Sequence, residues 1–224
     1  MKVAILGKIL KSEPTEYITK IIPLLEKKKV SVFLEFEYFK SLNGFISESV
    51  SSFKELDKSF DLLISIGGDG TILKAITFVK DLSIPIVGVN TGRLGFLAKI
   101  QIENIEQVIE EIILKNYSVS ERTLIEVSTS ETNQQLSKLN FALNEITLSR
   151  KNTTSMISID TKLDNKHLNS YWADGLIIST PTGSTGYSLS CGGPIIMPEA
   201  ENLIINPIAP HNLNARPLII PDST

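Results

Sequence analysis

The sequence predicts an α/β first half built on a parallel sheet and a mostly β second half. Three observations carry this. Through residue 117, short apolar runs alternate with apolar stripes at helical spacing, the pattern of strands crossing over through helices. From residue 118 the helical spacing gives way to short Ile-, Thr- and Ser-rich runs parted by polar turns. With 42% hydrophobic and 21% charged residues in 224, the composition is that of a folded chain able to bury a sizeable core. The expected domains are therefore 1–117 and 118–224.

In chain order, residues 2–6 form a buried strand ending at Gly7. A helix should follow, capped by Ser12, with Pro14, Glu13 and Glu16 at its start. Ile18, Ile21, Ile22 and Leu25 give it one apolar face, and Pro23 should kink or shorten it. Residues 30–36 return to a strand pattern. Residues 61–66 are a strand, 71–80 a helix and 84–89 a strand. The last helix covers 102–116, with Ile105, Val108, Ile109, Ile112 and Ile113 on one face. Strands are then expected at 122–128, 141–150, 156–163, 167–172 and 176–179, with polar turns at 151–152 and 164–166. The polar stretch 129–138 reads as a mobile loop. The chain stops at Pro-Asp-Ser-Thr just after the apolar run 217–220, so the second domain is expected to be incomplete.

Composition also excludes function classes. Lys and Arg total 22 against 25 Asp and Glu, a net charge of −3, which leaves no electrostatic footprint for nucleic acid or an acidic membrane. One cysteine rules out an internal disulfide and a multi-cysteine metal site. The opening MKVAILGKIL is too short and too soon followed by acids for a signal sequence, and no run reaches the ~20 apolar residues of a membrane span. A reducing cytoplasm is the expected setting.

Four segments carry chemistry. In the first, a buried strand reaches Gly67-Gly68-Asp69-Gly70-Thr71 and a helix starts at once. The bare glycine backbone and the free N–H groups of the helix start suit phosphate oxygens. An acid there needs a reason, since it repels phosphate. Asp69 can accept a proton from an attacking hydroxyl, help to place magnesium, or simply cap the helix at Thr71. Neither a P-loop (G-x-x-x-x-G-K-S/T) nor a dinucleotide fingerprint (G-x-G-x-x-G) is present.

The second segment, Asn90-Thr91-Gly92-Arg93-Leu94-Gly95-Phe96-Leu97, follows a strand and so lies at the sheet edge where ligands gather. Arg93 could hold phosphate; Phe96 could face a base, although packing in the core is the plainer expectation. The third runs from Asp174 and Gly175, a glycine expected to be exposed, through Thr180-Pro181-Thr182-Gly183-Ser184-Thr185-Gly186-Tyr187-Ser188-Leu189-Ser190. Its hydroxyls and bare N–H groups make a cradle for sugar and phosphate, with Tyr187 as a stacking face. The fourth is Asn144-Glu145, polar residues inside an apolar run. An amide reads a base edge and a carboxylate grips a ribose diol, but adjacent strand residues point to opposite faces, and a solvated strand edge would serve equally. His167 and His211 have no metal-ligand spacing, Cys191 reads as a small packed residue and Trp172 as core.

Together these segments, in this order, resemble the signature of the NAD kinase family, as does Pro207-Ile208-Ala209-Pro210-His211 with Ala215-Arg216-Pro217-Leu218. The glycine turn is shared with diacylglycerol, sphingosine and 6-phosphofructokinase-type kinases; Thr-Pro-Thr-Gly-Ser-Thr is more specific. The resemblance implies an N-terminal α/β domain and a C-terminal β-sandwich-like domain with the dinucleotide between them. It implies ATP and NAD as substrates, a magnesium ion held mainly through ATP phosphates, and phosphorylation of the 2′-hydroxyl of the adenosine ribose. By similarity Asp69 is the proton acceptor, and Gly70 and Lys74 line its site. Asn144 and Glu145 contact adenine and ribose. Asp174 approaches the dinucleotide, from a neighbouring subunit of a homodimer or homotetramer. Thr182, Thr185, Gly186, Tyr187, Ser188, Leu189 and Ser190 wrap the adenosine, with Ala209 at the pocket wall. The family more often has Ala where Gly186 stands, and it continues beyond this chain's end. A lipid or sugar kinase with the same turn, or a nucleotide sensor without catalysis, are the alternatives.

Overall fold

The computed structural model describes residues 1–7, 16–42, 44–92, 95–131, 133–134, 136, 138–152 and 154–224. The expected cap at Ser12, with Glu13 and Pro14, and the phosphate ligand Arg93 lie outside the described residues. The chain divides into two compact units, Met1–Val119 and Ser120–Thr224.

The first unit is a parallel sheet with helices on both faces. Its elements are β1 (Lys2–Gly7), α1 (Glu16–Lys27), β2 (Ser31–Glu35), α2 (Phe36–Ser41), β3 (Ser51–Phe53), β4 (Leu62–Gly67), α3 (Asp69–Val79), β5 (Ile86–Asn90), β6 (Ile100–Gln101) and α4 (Ile105–Ile113). The strand order is β3-β2-β1-β4-β5-β6, all parallel. Alternation along the strands sorts their side chains. Val3, Ile5, Leu62, Ile64 and Ile66 pack with Ile18, Ile21 and Leu25 of α1 and Ile105, Ile109 and Ile112 of α4. Ala4, Leu6 and Leu63 pack on the other face with Ala75 and Val79 of α3.

α1 continues past Pro23 to Lys27. Losing one backbone bond costs about 3 kcal/mol. Ile18, Ile21, Ile22 and Leu25 are all buried, each contributing roughly 1.5–3 kcal/mol, so the stripe outweighs the proline and the helix is not shortened. The last helix is shorter than expected, a 3-10 turn over Ile102–Asn104 followed by α4, which stops at Ile113. Short α2, β3 and β6 carry too few residues to show a period.

The second unit holds β7 (Ile125–Glu126), β8 (Phe141–Ala142), β9 (Glu145–Ser149), β10 (Ile157–Leu163), β11 (Lys166–Ala173), β12 (Gly175–Ser179), the helical turn α5 (Tyr187–Ser190), β13 (Asn202–Ile208) and β14 (Leu218–Pro221). Its main sheet is antiparallel, in the order β14-β13-β12-β9, with β10-β11 and β7-β8 as separate pairs. Tyr171, Ala173, Leu176, Ile205, Ala215 and Ile220 form its core. The expected strand at 122–128 shrinks to two residues. β13 has no counterpart among the expected strands, and the 217–220 run becomes the edge strand β14. Trp172 is 51% exposed, not core: β11 alternates, burying Tyr171 and Ala173 and turning Trp172 outward against His211, with ring centroids 4.5 Å apart.

Candidate functional site

The sheet order 3-2-1-4-5-6 reverses between β1 and β4, and in open α/β sheets ligands gather at the carboxyl ends of the strands beside that point. The glycine turn lies there, at the end of β4. Gly68 stands at the N-cap of α3 without a side-chain cap, and Asp69 is the first residue of the helix. Its carboxylate does not turn back to cap. Oδ2 accepts the Phe96 N–H at 2.8 Å, and Oδ1 accepts those of Leu97 at 2.9 Å and Ala98 at 3.0 Å. The loop after β5 is thus docked on Asp69, and Gly95 allows it: a Cβ there would fall 2.3–2.7 Å from the carboxylate. Asn90 ties the same loop at both ends, accepting from Gly92 N–H at 2.8 Å and donating to the Ala98 carbonyl at 3.2 Å. Phe96 is 66% exposed, because the docking engages its backbone and leaves the ring outward; this corrects the expectation of a core residue.

Gly70 is exposed on the first turn of α3. Lys74, one turn further, lies 3.9 Å from Glu35, whose buried carboxylate caps α2 through the Tyr38 N–H. Neither Glu35 nor the backbone donors of residues 96–98 are among the residues to which the sequence points. An acid at a strand end was the only available signal for the first; the second has none, because main-chain donors are invisible in residue types.

In the second unit, the apolar run 141–150 breaks at Leu143-Asn144. Thr180 causes the break: its hydroxyl donates to the Leu143 carbonyl and its N–H to that of Asn144 at 2.9 Å. Freed from a regular pleat, Asn144 and Glu145 do not point apart. A Cβ on Gly186 would lie 3.2 Å from Glu145 Oε2 and 3.5 Å from Asn144 Nδ2, so both side chains reach one place. Neither is the solvated edge that the pattern allowed. Asn144 Oδ1, Glu145 Oε2 and Thr182 Oγ1 are buried with no partner, three of the six such atoms among the described residues. Burial raises the pKa of Glu145, and the Tyr187 backbone N–H that bonds its carboxyl opposes the shift.

A 3-10 turn over Thr182–Thr185 and α5 carry the rest of this cradle. Thr182 and Ser188 are buried, Thr185 and Gly186 half-buried, and Tyr187, Leu189 and Ser190 exposed. Each unpaired buried oxygen costs about 1–3 kcal/mol, which a ligand presenting hydroxyls and amines would return. Tyr187 and Leu189 add open apolar surface beside them.

Asp174 and Ala209 stand elsewhere. Asp174 sits between β11 and β12, ion-paired with Arg150 at 3.2 Å, and its N–H bonds Ile208 beside Ala209. Ser179 pairs with Glu145 at one end of β12, and Gly175 pairs with Ile208 at the other. Four strand steps separate the ends, roughly 14 Å. Gly175 is buried rather than exposed, since a Cβ would strike the Leu148 carbonyl at 2.3 Å.

A doubly wound sheet with a glycine turn at its switch point, followed by a polar cradle on an antiparallel sheet, defines a nucleotide-handling α/β-plus-β protein. Family models of the ATP-NAD kinase N-terminal domain and C-terminal domain match residues 4–117 and 143–224. The chain is 54% identical to the NAD kinase of Christiangramia forsetii and 53% identical to that of Flavobacterium psychrophilum, in each case over 100% of this chain and 78% of the relative. It is similar to the crystal structure of yeast NADH kinase complexed with NADH, with a TM-score of 0.86 and 27% identity over 99% of this chain and 69% of the other. It also resembles an NAD kinase from Archaeoglobus fulgidus in complex with ATP, with a TM-score of 0.74 and 27% identity over 99% and 77%. The chain belongs to the ATP-NAD kinase family, a family of phosphotransferase enzymes.

Proposed function

We propose that this chain transfers a phosphoryl group from ATP to the 2′-hydroxyl of the adenosine ribose of NAD, giving NADP. The observation that carries this is the cradle. An amide oxygen, a carboxylate oxygen and a hydroxyl lie buried and unpaired beside an exposed tyrosine, the chemistry that takes up a base edge and a ribose diol. Glu145 grips the ribose, Asn144 and Thr182 read the adenine side, and residues Thr185 to Ser190 close around it. Domain 118–224 supplies dinucleotide binding, and domain 1–117 supplies the proton acceptor.

Asp69 takes the hydroxyl proton as the new bond forms. A carboxylate offers about four lone-pair directions. Oδ1 already accepts two N–H groups and Oδ2 one, so Oδ2 is the atom that receives the proton. Gly70 and the start of α3 direct backbone N–H groups at phosphate oxygens, and Lys74 adds positive charge. Among the described residues no cluster of three or more His, Cys, Asp or Glu side chains is built for a metal. A magnesium ion carried on ATP oxygens, with Asp69 as the carboxylate near it, would neutralise phosphate charge. Asp174 and Ala209, at the far end of β12, serve a dinucleotide held by a second copy in a homodimer or homotetramer. No helix among the described residues is long and apolar enough to cross a membrane. A cytoplasmic setting without nucleic-acid partners fits the charge balance and the single cysteine.

The test is NADP formation from NAD, ATP and magnesium, coupled to an NADP-specific dehydrogenase, with NADH, sugars and diacylglycerol as competing acceptors. Turnover with NAD and none with sugar or lipid is expected. Nucleotide binding without NADP formation by folded protein would reduce the chain to a sensor.

A further inference from the structure

Asn206 stands inside β13, directly after the apolar run Leu203-Ile204-Ile205, and none of its surface reaches solvent. Its Nδ2 donates to the Ser188 carbonyl at 2.9 Å and approaches Ser188 Oγ at 3.2 Å. Its Oδ1 is buried with no partner. A half-paired amide is an expensive tenant for a sheet interior, where an aliphatic side chain of similar size would pack without loss. Its Nδ2 is a partner for the buried Ser188 hydroxyl, but the carbonyl does not need it. The Ser188 carbonyl already receives the Gly193 N–H at 2.8 Å and the Cys191 N–H at 3.1 Å.

What the amide does add is a fixed place for the turn. Ser188 is fully buried and belongs to α5, and Gly186, two residues before it, borders the cradle: a Cβ there would lie 3.2 Å from Glu145 Oε2 and 3.5 Å from Asn144 Nδ2. Gly193 closes in from the other side; a Cβ there would lie 2.3 Å from Ser188 Oγ and 2.8 Å from Asn206 Nδ2. The contacts run from β13 to Ser188, and two residues back along the chain to Gly186 beside Glu145 and Asn144.

We propose that Asn206 is a positioning residue for dinucleotide binding, pinning the Ser188 turn to the sheet so that the Gly186 backbone and the Glu145 carboxylate meet the ribose in one geometry. It touches no substrate and acts through Ser188. The inference rests on the reading of the cradle as the dinucleotide site.

Asn206→Leu in the full chain separates this role from a structural one. The substitution removes the orphaned Oδ1 and leaves Ser188 Oγ without its Nδ2 partner, so the two effects offset and the melting temperature should stay close to the parent's. The KM for NAD should rise about tenfold while the KM for ATP and kcat at saturating NAD stay within about twofold, the signature of lost binding rather than lost chemistry. Should the leucine variant not fold, Asn206→Thr retains a strand-forming polar residue too short to reach the Ser188 carbonyl, and the same split is expected. Glu145→Ala is measured in parallel. If it raises the KM for NAD while the Asn206 variants do not, Asn206 is structural and the proposal is overturned alone. If none of the variants moves that KM, the cradle reading itself has failed. Equal rises for both substrates would also overturn the proposal.

Discussion

A carboxylate that accepts a proton must keep a lone pair free, and three backbone N–H groups already claim most of Asp69. Asp69→Asn is therefore not a silent replacement of shape. Its amide oxygen can still receive Leu97 and Ala98, but its NH₂ would face the Phe96 N–H that Oδ2 now accepts at 2.8 Å. The expected result is a fall in kcat of about 10²–10⁴ with NAD binding retained. Hydrogen exchange should show Phe96 losing protection while Leu97 and Ala98 keep theirs. Near-normal turnover would leave Asp69 as no more than the anchor of the loop. Glu145 poses the opposite question, because its pKa is raised by burial. Over the range between its ordinary value and the raised one, the folded state holds a proton that the unfolded state has released. Stability therefore falls as pH rises through that range, and no penalty exists below the ordinary carboxylate pKa. Glu145→Gln removes the ionisation. It should melt higher than the parent at neutral pH and level with it near pH 4, the unperturbed carboxylate value, while its KM for NAD rises. Parallel melting curves across pH would deny the burial argument.

Among the elements, the β10–β11 hairpin shows how closely sequence can dictate geometry. Leu163 pairs with Lys166, leaving a two-residue turn of Asp164 and Asn165 with φ of 49° and 64°. Both positive values define the mirror-image turn that matches strand twist, and Asp and Asn are among the side chains that tolerate it. Asn165→Gly should raise stability by about 0.5 kcal/mol, and Asn165→Val should lower it by about 1–2 kcal/mol. Thermal melts would read these as a small gain and a loss of several degrees; a valine variant that melts with the parent would refute the turn assignment. That hairpin, the glycine turn and the alternating strands of the first unit were legible because local residue types fix them. β13 was not, because Asn206 and Pro207 interrupt its apolar run and only pairing with β12 and β14 reveals a strand. The orientation of Asn144 and Glu145 was illegible for a related reason. It depends on Thr180, 36 residues beyond Asn144, reaching back to two carbonyls and breaking the pleat. Trp172 misled through composition: a lone tryptophan suggests core, whereas strand parity put it outside.

At the scale of the whole molecule, the placement of Asp174 asks for a second chain. It is ion-paired with Arg150 and anchored to β13 beside Ala209, roughly 14 Å along β12 from the pairing of Ser179 with Glu145. A carboxylate that far from the cradle does not touch a ribose held there, yet the motif that carries it continues directly into the cradle. Homo-oligomers repeat each surface by symmetry, so Asp174 of one copy can serve the dinucleotide of another. Light scattering should then show a dimer or tetramer at assay concentration. Asp69→Asn and Asp174→Ala proteins, each inactive alone, should regain activity when their subunits are exchanged. If the two residues serve different chains at one site, random pairing in a dimer gives half of the assemblies as mixed, and each of these holds one intact site and one doubly altered site. With one site in four intact after equal mixing, recovery should approach about a quarter of the parent rate. No recovery after verified exchange would mean that both residues serve the same chain, and an active monomer would end the argument for sharing.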